Sequence, residues 1–337
     1  MRAILAALCA ALVLAGGTRA WEGHDWLTRE ALRDVDWLDA VPPLPVTTRS
    51  DSLQALSPRY AFASLGESPG ETIAARVVLE RYAGEPDRGP DDDMLDSWQQ
   101  LYLVPLAGHS SRRYHQSSMP GWSVHFPLTH VAMGAAPERA SLYFHAARRA
   151  FDRGDPYWGF RYVASLLHYA QDAAQPYHAG ATAPVFLLPG DHPPAAAIVM
   201  ANYHALFQGW VHRRMEDSAF ELSRPLRGTA ADAFRHADEG VERVAERSRE
   251  LGLPLFEASV RFFDRRFRKA ELESPSFPDL AQLEPAADAE ILADCARRAL
   301  GRAARASRGM LALIRPLIRE RFLEPLVPRA AGRPGAP

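Results

Sequence analysis

Leu166-Leu167-His168-Tyr169-Ala170-Gln171-Asp172-Ala173-Ala174-Gln175-Pro176-Tyr177-His178 places two histidines and an aspartate within a dozen residues of a helical run. His168 and Asp172 are four apart, so on an α-helix they leave the same face one turn from each other. Pro176 lacks the N–H that would continue the helix, and a bend is expected there. The bend lets His178 swing back toward the first pair. Two imidazoles and a carboxylate meeting at one point form a zinc-type ligand set, although a His-xxx-Asp pair alone also serves as a structural hydrogen bond. Further ligands must therefore come from elsewhere in the chain.

Outward from this stretch, the pattern is helical almost throughout. On the amino-terminal side, Gly154-Asp155-Pro156 breaks one helix, expected over residues 137–152, from the next, expected over 157–175. Earlier, residues 21–32 read as a moderately amphipathic helix, a Pro-rich connection spans 41–46, and helix signal returns over 71–82. Residues 83–122 look like a long loop holding Gly84-Glu85-Pro86-Asp87, the acidic run Asp91-Asp92-Asp93, and Tyr114-His115. On the carboxyl-terminal side, a loop over 179–194 precedes a helix over 195–216, then further helices over 229–251, 253–270 and 285–323. Pro316 should kink the last of these. No stretch alternates with period two for long enough to propose a sheet. The expectation is an all-α, single-domain multi-helix bundle over residues 21–328, with 229–328 as additional carboxyl-terminal helices and 329–337 as a disordered tail.

Composition sets the class. With 337 residues, 47% of them hydrophobic and 24% charged, the chain can bury a large core. A formal net charge of -2 gives no global basic field for nucleic acid or anionic membrane. Arg2, the apolar run 4–15 and the small residues Thr18 and Ala20 read as a secretory signal peptide over residues 1–20, too short to span a membrane. Cleavage after Ala20 makes Trp21 the new amino terminus. Cys9 leaves with the leader, so Cys295 has no intramolecular disulfide partner in the mature chain. An exported, periplasmic or extracellular protein is expected.

Beyond the opening motif, His24, Asp87, His115, His125 and His204 are the ligand candidates. Most of the 12 histidines need no such role. His125, His130 and His145 sit beside aromatics or on a helix, where packing or surface exposure is the default. His109, His192 and His236 lie in polar or loop settings.

The stretch Ser165-Leu166-Leu167-His168-Tyr169-Ala170-Gln171-Asp172-Ala173-Ala174-Gln175-Pro176-Tyr177-His178-Ala179 resembles the core motif of the zinc-dependent phospholipase C / S1-P1 nuclease superfamily, His-xxx-Asp-x5-His with Gln-Pro before the second histidine. The preceding helix is similar too. So is the mature start, since in that family an amino-terminal Trp binds zinc through its free amine and carbonyl. The resemblance runs over about residues 21–211 and implies up to three Zn2+ ions. Trp21 and His24 would hold one zinc, with Asp172 as a bridge. His168 and Asp172 would join an aspartate and a histidine of the long loop on a second. Asp87 is preferred for that aspartate, with Asp91, Asp92 and Asp93 as alternatives, and His115 is preferred over His125 for the histidine. The third ion would fall to His178 and His204. Here Gln208 stands where the family has a carboxylate; an amide oxygen can coordinate but brings no charge. His212 and Glu216 restore a His-xxx-Glu spacing two turns on, as the alternative.

The resemblance implies a secreted zinc-dependent phosphodiesterase. Hydroxide held near Asp172 would attack phosphorus, with Asp87 as a possible general base. A phospholipase C, releasing diacylglycerol and a phosphorylated headgroup after transient contact with a membrane surface, is the first expectation. A single-strand nuclease is the second; Arg112, Arg113, Arg213 and Arg214 could serve it, although arginine runs are commonly solvated faces. A catalytically weak zinc-binding protein is the third, and Gln208 is the observation behind it.

Overall fold

A computed structural model describes residues 23–48, 65–88, 123–126, 129–132, 136–179, 193–215, 221–263 and 286–323. The leader, Trp21, Asp91–Asp93, His115, Glu216 and the tail lie outside the described residues, as does the side chain of His125.

The centre of the molecule is a helix we call α4, Pro156–Ala174, whose 19 residues are all buried. A helix apolar on every side belongs inside a bundle, and only its few polar groups then need partners. It follows α3, Ala136–Asp152, through the sharp break expected at Gly154-Asp155-Pro156. Gly154, at φ 75°, takes the left-handed conformation that ends α3. Its N–H donates to Phe151 O, and the Asp155 N–H donates to Ala150 O, the paired bonds of a Schellman stop. Asp155 then caps α4 by accepting from the Trp158 N–H, with Pro156 in the first turn, where its missing N–H costs nothing. Further along, a Cβ on Gly159 would lie 2.4 Å from the Phe151 ring, so α3 and α4 approach too closely for any side chain there.

Around α4 pack α1 (His24–Leu32), α2 (Ala75–Tyr82), α3, α7 (Ala237–Arg249) and α9 (Ala286–Ile318). A short turn, α5 (Pro176–Ala179), continues from α4, while α6 (Pro193–Arg214) and α8 (Gly252–Phe262) complete the bundle. The architecture is all-α. No described helix is long and apolar enough to cross a membrane.

Several boundaries differ from the sequence reading. Two small antiparallel ribbons are present where no strand was expected. In the first, β1 (Leu44–Pro45) pairs with β2 (Thr72–Ile73), with Leu44 opposite Ile73. This ribbon takes the first residues of the helix expected over 71–82, because β-branched Thr72 and Ile73 suit an extended pair that buries Leu44. In the second, β3 (Ser123–Phe126) pairs with β4 (Thr129–Ala132). Both are too short for period-two alternation to stand out. The helix expected from 229 begins at Ala237; the segment before it lies along α9, where the Asp232 N–H donates to Arg305 O. Pro316 does not end α9 at once: the helix runs to Ile318 and loosens into a π turn at Arg319–Leu323.

Helix α9 is a structural member of the bundle. Buried Arg308 donates from Nη1 to Ala31 O at the end of α1 and to Leu226 O, both at 2.8 Å, and from Nε to Ala230 O at 2.6 Å. One guanidinium therefore satisfies an orphan carbonyl at the end of α1 and two from the 3-10 turn Arg224–Leu226 and the segment after it.

Candidate metal centre

Three chain segments converge on one face of α4. Arg161, His168 and Asp172 lie at i, i+7 and i+11, close enough to the helical repeat to share that face. Helix α1 brings His24 as its first residue; the preceding Gly23, at φ 97°, allows the entry turn. Leu27, Thr28 and Ala31 extend the buried face that His24 begins. From the end of α2 come the Ala83 carbonyl, Glu85, and Asp87 on the 3-10 turn Pro86–Arg88.

His24 Nε2 lies 3.3 Å from Asp172 Oδ1, and His168 Nε2 lies 3.2 Å from Asp172 Oδ2. Each oxygen of one carboxylate thus faces a different imidazole, the disposition of a bridging ligand. Asp87 approaches from the other side, at 3.9 Å from His24 Nε2 and 3.7 Å from His168 Nε2. The two ring centroids lie 3.9 Å apart, with the planes tilted by 34°. Candidate ligand atoms of His24, His168 and Asp172 all fall within 4.8 Å of one another. Asp172 is fully buried, whereas the Asp87 side chain keeps 12% exposure and is the member nearest solvent.

Remote nitrogens fix the rings. His168 Nδ1 is 2.8 Å from Ala83 O, which can only accept, so Nδ1 carries a proton, and in the neutral tautomer this fixes, Nε2 turns a lone pair inward. His24 Nδ1 is 2.7 Å from Gln171 Oε1. Its Nε2 is buried and faces Asp172 Oδ1. Burial alone favours the neutral imidazole of His24, but Asp172 foremost, then Asp87 and Gln171, outweigh it and raise the pKa above its ordinary value. Two carboxylates around two inward nitrogens make a site that favours positive charge, and a nitrogen and oxygen donor set suits zinc. These residues could hold a divalent ion.

Asp87 owes its place to a buried strut. Arg161 Nε donates to Glu85 Oε2 at 2.8 Å, and Nη2 pairs with Glu85 Oε1. The guanidinium lies 3.9 Å over the Tyr82 ring and 4.4 Å over Trp158. Desolvation opposes the charge on Arg161, but Glu85 more than offsets it and raises its pKa. This strut ties the turn carrying Asp87 to the helix carrying His168 and Asp172.

A second cluster lies beyond the bend. Gln175 is extended at ψ 121°, and its carbonyl accepts the N–H groups of His178 and Ala179, starting α5. His178 is thereby carried toward α6. Its Nε2 stands 3.0 Å from His204 Nε2, with the rings at 79°. His24 is the second imidazole on Asp172 beside His168. Gln208 lies one turn after His204 on α6 and is buried. Among the described residues, no carboxylate or thiolate completes a metal-type group with His178 and His204. His212, from the alternative pair, is exposed, and a Cβ on Gly23 would lie 3.4 Å from its Nδ1.

Glu85, Arg161, Gln171, Thr28 and Ser307 were not singled out from the sequence. Arg161 carried a signal, being a charge on an apolar helix two turns before His168. The others depend on which helices touch.

No family model matches the chain, and no curated protein matches it. Among solved structures, the crystal structure of Clostridium perfringens alpha-toxin from avian strain SWCP is similar at 15% identity and a TM-score of 0.34. The similarity covers 88% of this chain and 65% of that one, so the chain spans about two thirds of the length of that structure. It is a weak likeness of fold.

Proposed function

We propose that this protein is a zinc-dependent phosphodiesterase, exported by the 1–20 leader, with phospholipid as its first substrate class. The observation that carries the reading is the buried cluster of His24, His168, Asp172 and Asp87, in which two imidazole Nε2 atoms face the two oxygens of one carboxylate. Asp172 would bridge one ion on His24 and a second on His168 and Asp87, the two carboxylates offsetting part of their charge. When bound, zinc supplies acidification of water and stabilisation of charge on phosphoryl oxygen. Asp172, buried and shared by both rings, holds; Asp87, on the solvent side, is placed to accept the proton of the attacking water. As the new oxygen–phosphorus bond forms, the bond to the leaving alkoxide breaks, and that oxygen takes up a proton from solvent, to which Asp87 returns the one it accepted. His178 and His204 would hold a further ion, with Gln208 one turn away. That set carries no charge, so its ion binds less tightly than the first. Trp21 and His115 belong to the proposed ligand set through the family resemblance.

A single-strand nuclease is the second reading, because the same centre would serve any phosphodiester. Zinc content, phosphatidylcholine hydrolysis and single-stranded DNA hydrolysis on one preparation test both. Activity on the lipid that chelator abolishes and zinc restores is expected. Full activity in excess chelator contradicts the proposal, and activity on DNA alone selects the nuclease.

A further inference from the structure

Gln171 sits between His168 and Asp172 in sequence and is fully buried. Its amide joins three elements. The nitrogen donates to Thr28 Oγ1 on α1 at 2.9 Å and to Ser307 Oγ on α9 at 3.2 Å, while the oxygen meets His24 Nδ1 at 2.7 Å.

The direction of these bonds can be read from one end. Ser307 Oγ donates to Ala303 O at 2.8 Å, and a backbone carbonyl can only accept. The single hydroxyl proton of Ser307 is committed there, so toward Gln171 its oxygen must accept. The amide nitrogen of Gln171 therefore points at Ser307 and Thr28, and only Oε1 remains for His24. An amide oxygen accepts, so His24 Nδ1 carries a proton, and in the neutral ring that binds metal Nε2 presents its lone pair to the cluster. If the amide turned over, an NH2 group would meet His24 Nδ1. A neutral ring would then carry its proton on Nε2, where an ion should bind. The amide oxygen would meanwhile face a Ser307 hydroxyl with no proton left to give. Because Thr28, Gln171 and Ser307 are all fully buried, water is not at hand to relieve that mismatch.

We propose that Gln171 is a positioning residue that locks His24 in its metal-binding tautomer, and that the polarity of this lock is set by Ser307 on the carboxyl-terminal helix α9. The proposal rests on reading the His24 cluster as a metal centre. It gives α9 a part in metal binding that no ligand list contains, since Ser307 acts on His24 only through Gln171.

The test is zinc affinity, measured by competition with a chromophoric chelator, together with 15N–1H correlation spectra of the histidine rings, on wild type, Gln171→Leu, Gln171→Glu and Ser307→Ala. Wild type should show His24 protonated at Nδ1 in the zinc form. Gln171→Leu should bind zinc about 10- to 100-fold more weakly, the usual scale for loss of a partner behind a ligating histidine. Gln171→Glu keeps an acceptor at Nδ1 but sets a second oxygen, in place of the amide nitrogen, against Ser307 and Thr28; it should keep His24 protonated at Nδ1 and lose less affinity than Gln171→Leu. Ser307→Ala should show part of the Gln171→Leu loss. Equal affinity and an unchanged His24 tautomer in Gln171→Leu overturn the proposal, and so does an equal loss in Gln171→Glu, which would make packing the only role. If Gln171→Leu does not fold, an unaltered tautomer and affinity in Ser307→Ala overturn it alone. A wild type that binds no zinc instead contradicts the metal reading beneath it.

Discussion

At the residue scale, Asp172 makes the most specific contacts of the cluster, because its two oxygens face two different rings from a fully buried position. Asp172→Asn keeps the shape and removes the charge. Zinc and hydrolysis should be lost together, which metal analysis and an activity assay on the same variant will show. The pH dependence follows from His24, whose pKa is raised by Asp172 against the opposing effect of burial. A raised histidine pKa stabilises the metal-free fold fully below the unfolded value of about 6.5, and that contribution is lost as pH rises through the folded value. Zinc needs the neutral ring, so its apparent affinity should fall by about tenfold per pH unit for each proton displaced below the folded pKa. Melting temperatures against pH should therefore run in opposite directions for the two forms over this window: downward with pH for the metal-free protein, upward for the zinc form. Parallel curves contradict the assignment. Gln208→Glu is the third residue-scale prediction. It adds the charge that the His178–His204 pair lacks, and should tighten the weaker zinc by tenfold or more in a titration.

At the element scale, the turn after α2 is held by Glu85 and Arg161. Removing one partner of a buried pair leaves the other charge uncompensated, which costs about 3–5 kcal/mol. Arg161→Met should lose stability on that scale in denaturant unfolding. The double variant Arg161→Met with Glu85→Leu should recover much of it, since no charge stays stranded. Hydrolysis should not recover in parallel, because Asp87 has lost its strut. What the sequence could and could not show also divides at this scale. Helix α4 was legible because its apolar run, its Gly154-Asp155-Pro156 entry and its Pro176 exit are local signals. The spacing of His168 and Asp172 on it was equally local. The bend at Pro176 by itself gave His178 no direction; the extended Gln175 backbone and the packing of α5 set it beside His204. Ribbons of two or four residues leave no periodic trace, and Leu44 or Ser123 gave no warning of them. The pairings of Gln171 with Ser307 and of Glu85 with Arg161 span 136 and 76 residues, and nothing local to either residue encodes them.

At the scale of the whole molecule, the candidate centre is assembled from the beginning, middle and end of the chain. His24 comes from α1, the ligands of α4 from the middle, and the support of Gln171 and of Ala31 O from α9 through Ser307 and Arg308. The carboxyl-terminal helices, additional by sequence, are thus part of the bundle that positions the site. A chain stopped after Phe263 should lose cooperative thermal unfolding and zinc together, whereas one stopped after Leu323 should keep both. The central claim is that the buried His24–His168–Asp172–Asp87 cluster is a zinc centre. It is tested most directly by zinc stoichiometry, from elemental analysis of wild type and Asp172→Asn purified side by side. The account predicts at least one tightly held zinc per wild-type chain and its loss in the variant. A wild type without zinc, or a variant that retains as much as wild type, contradicts it.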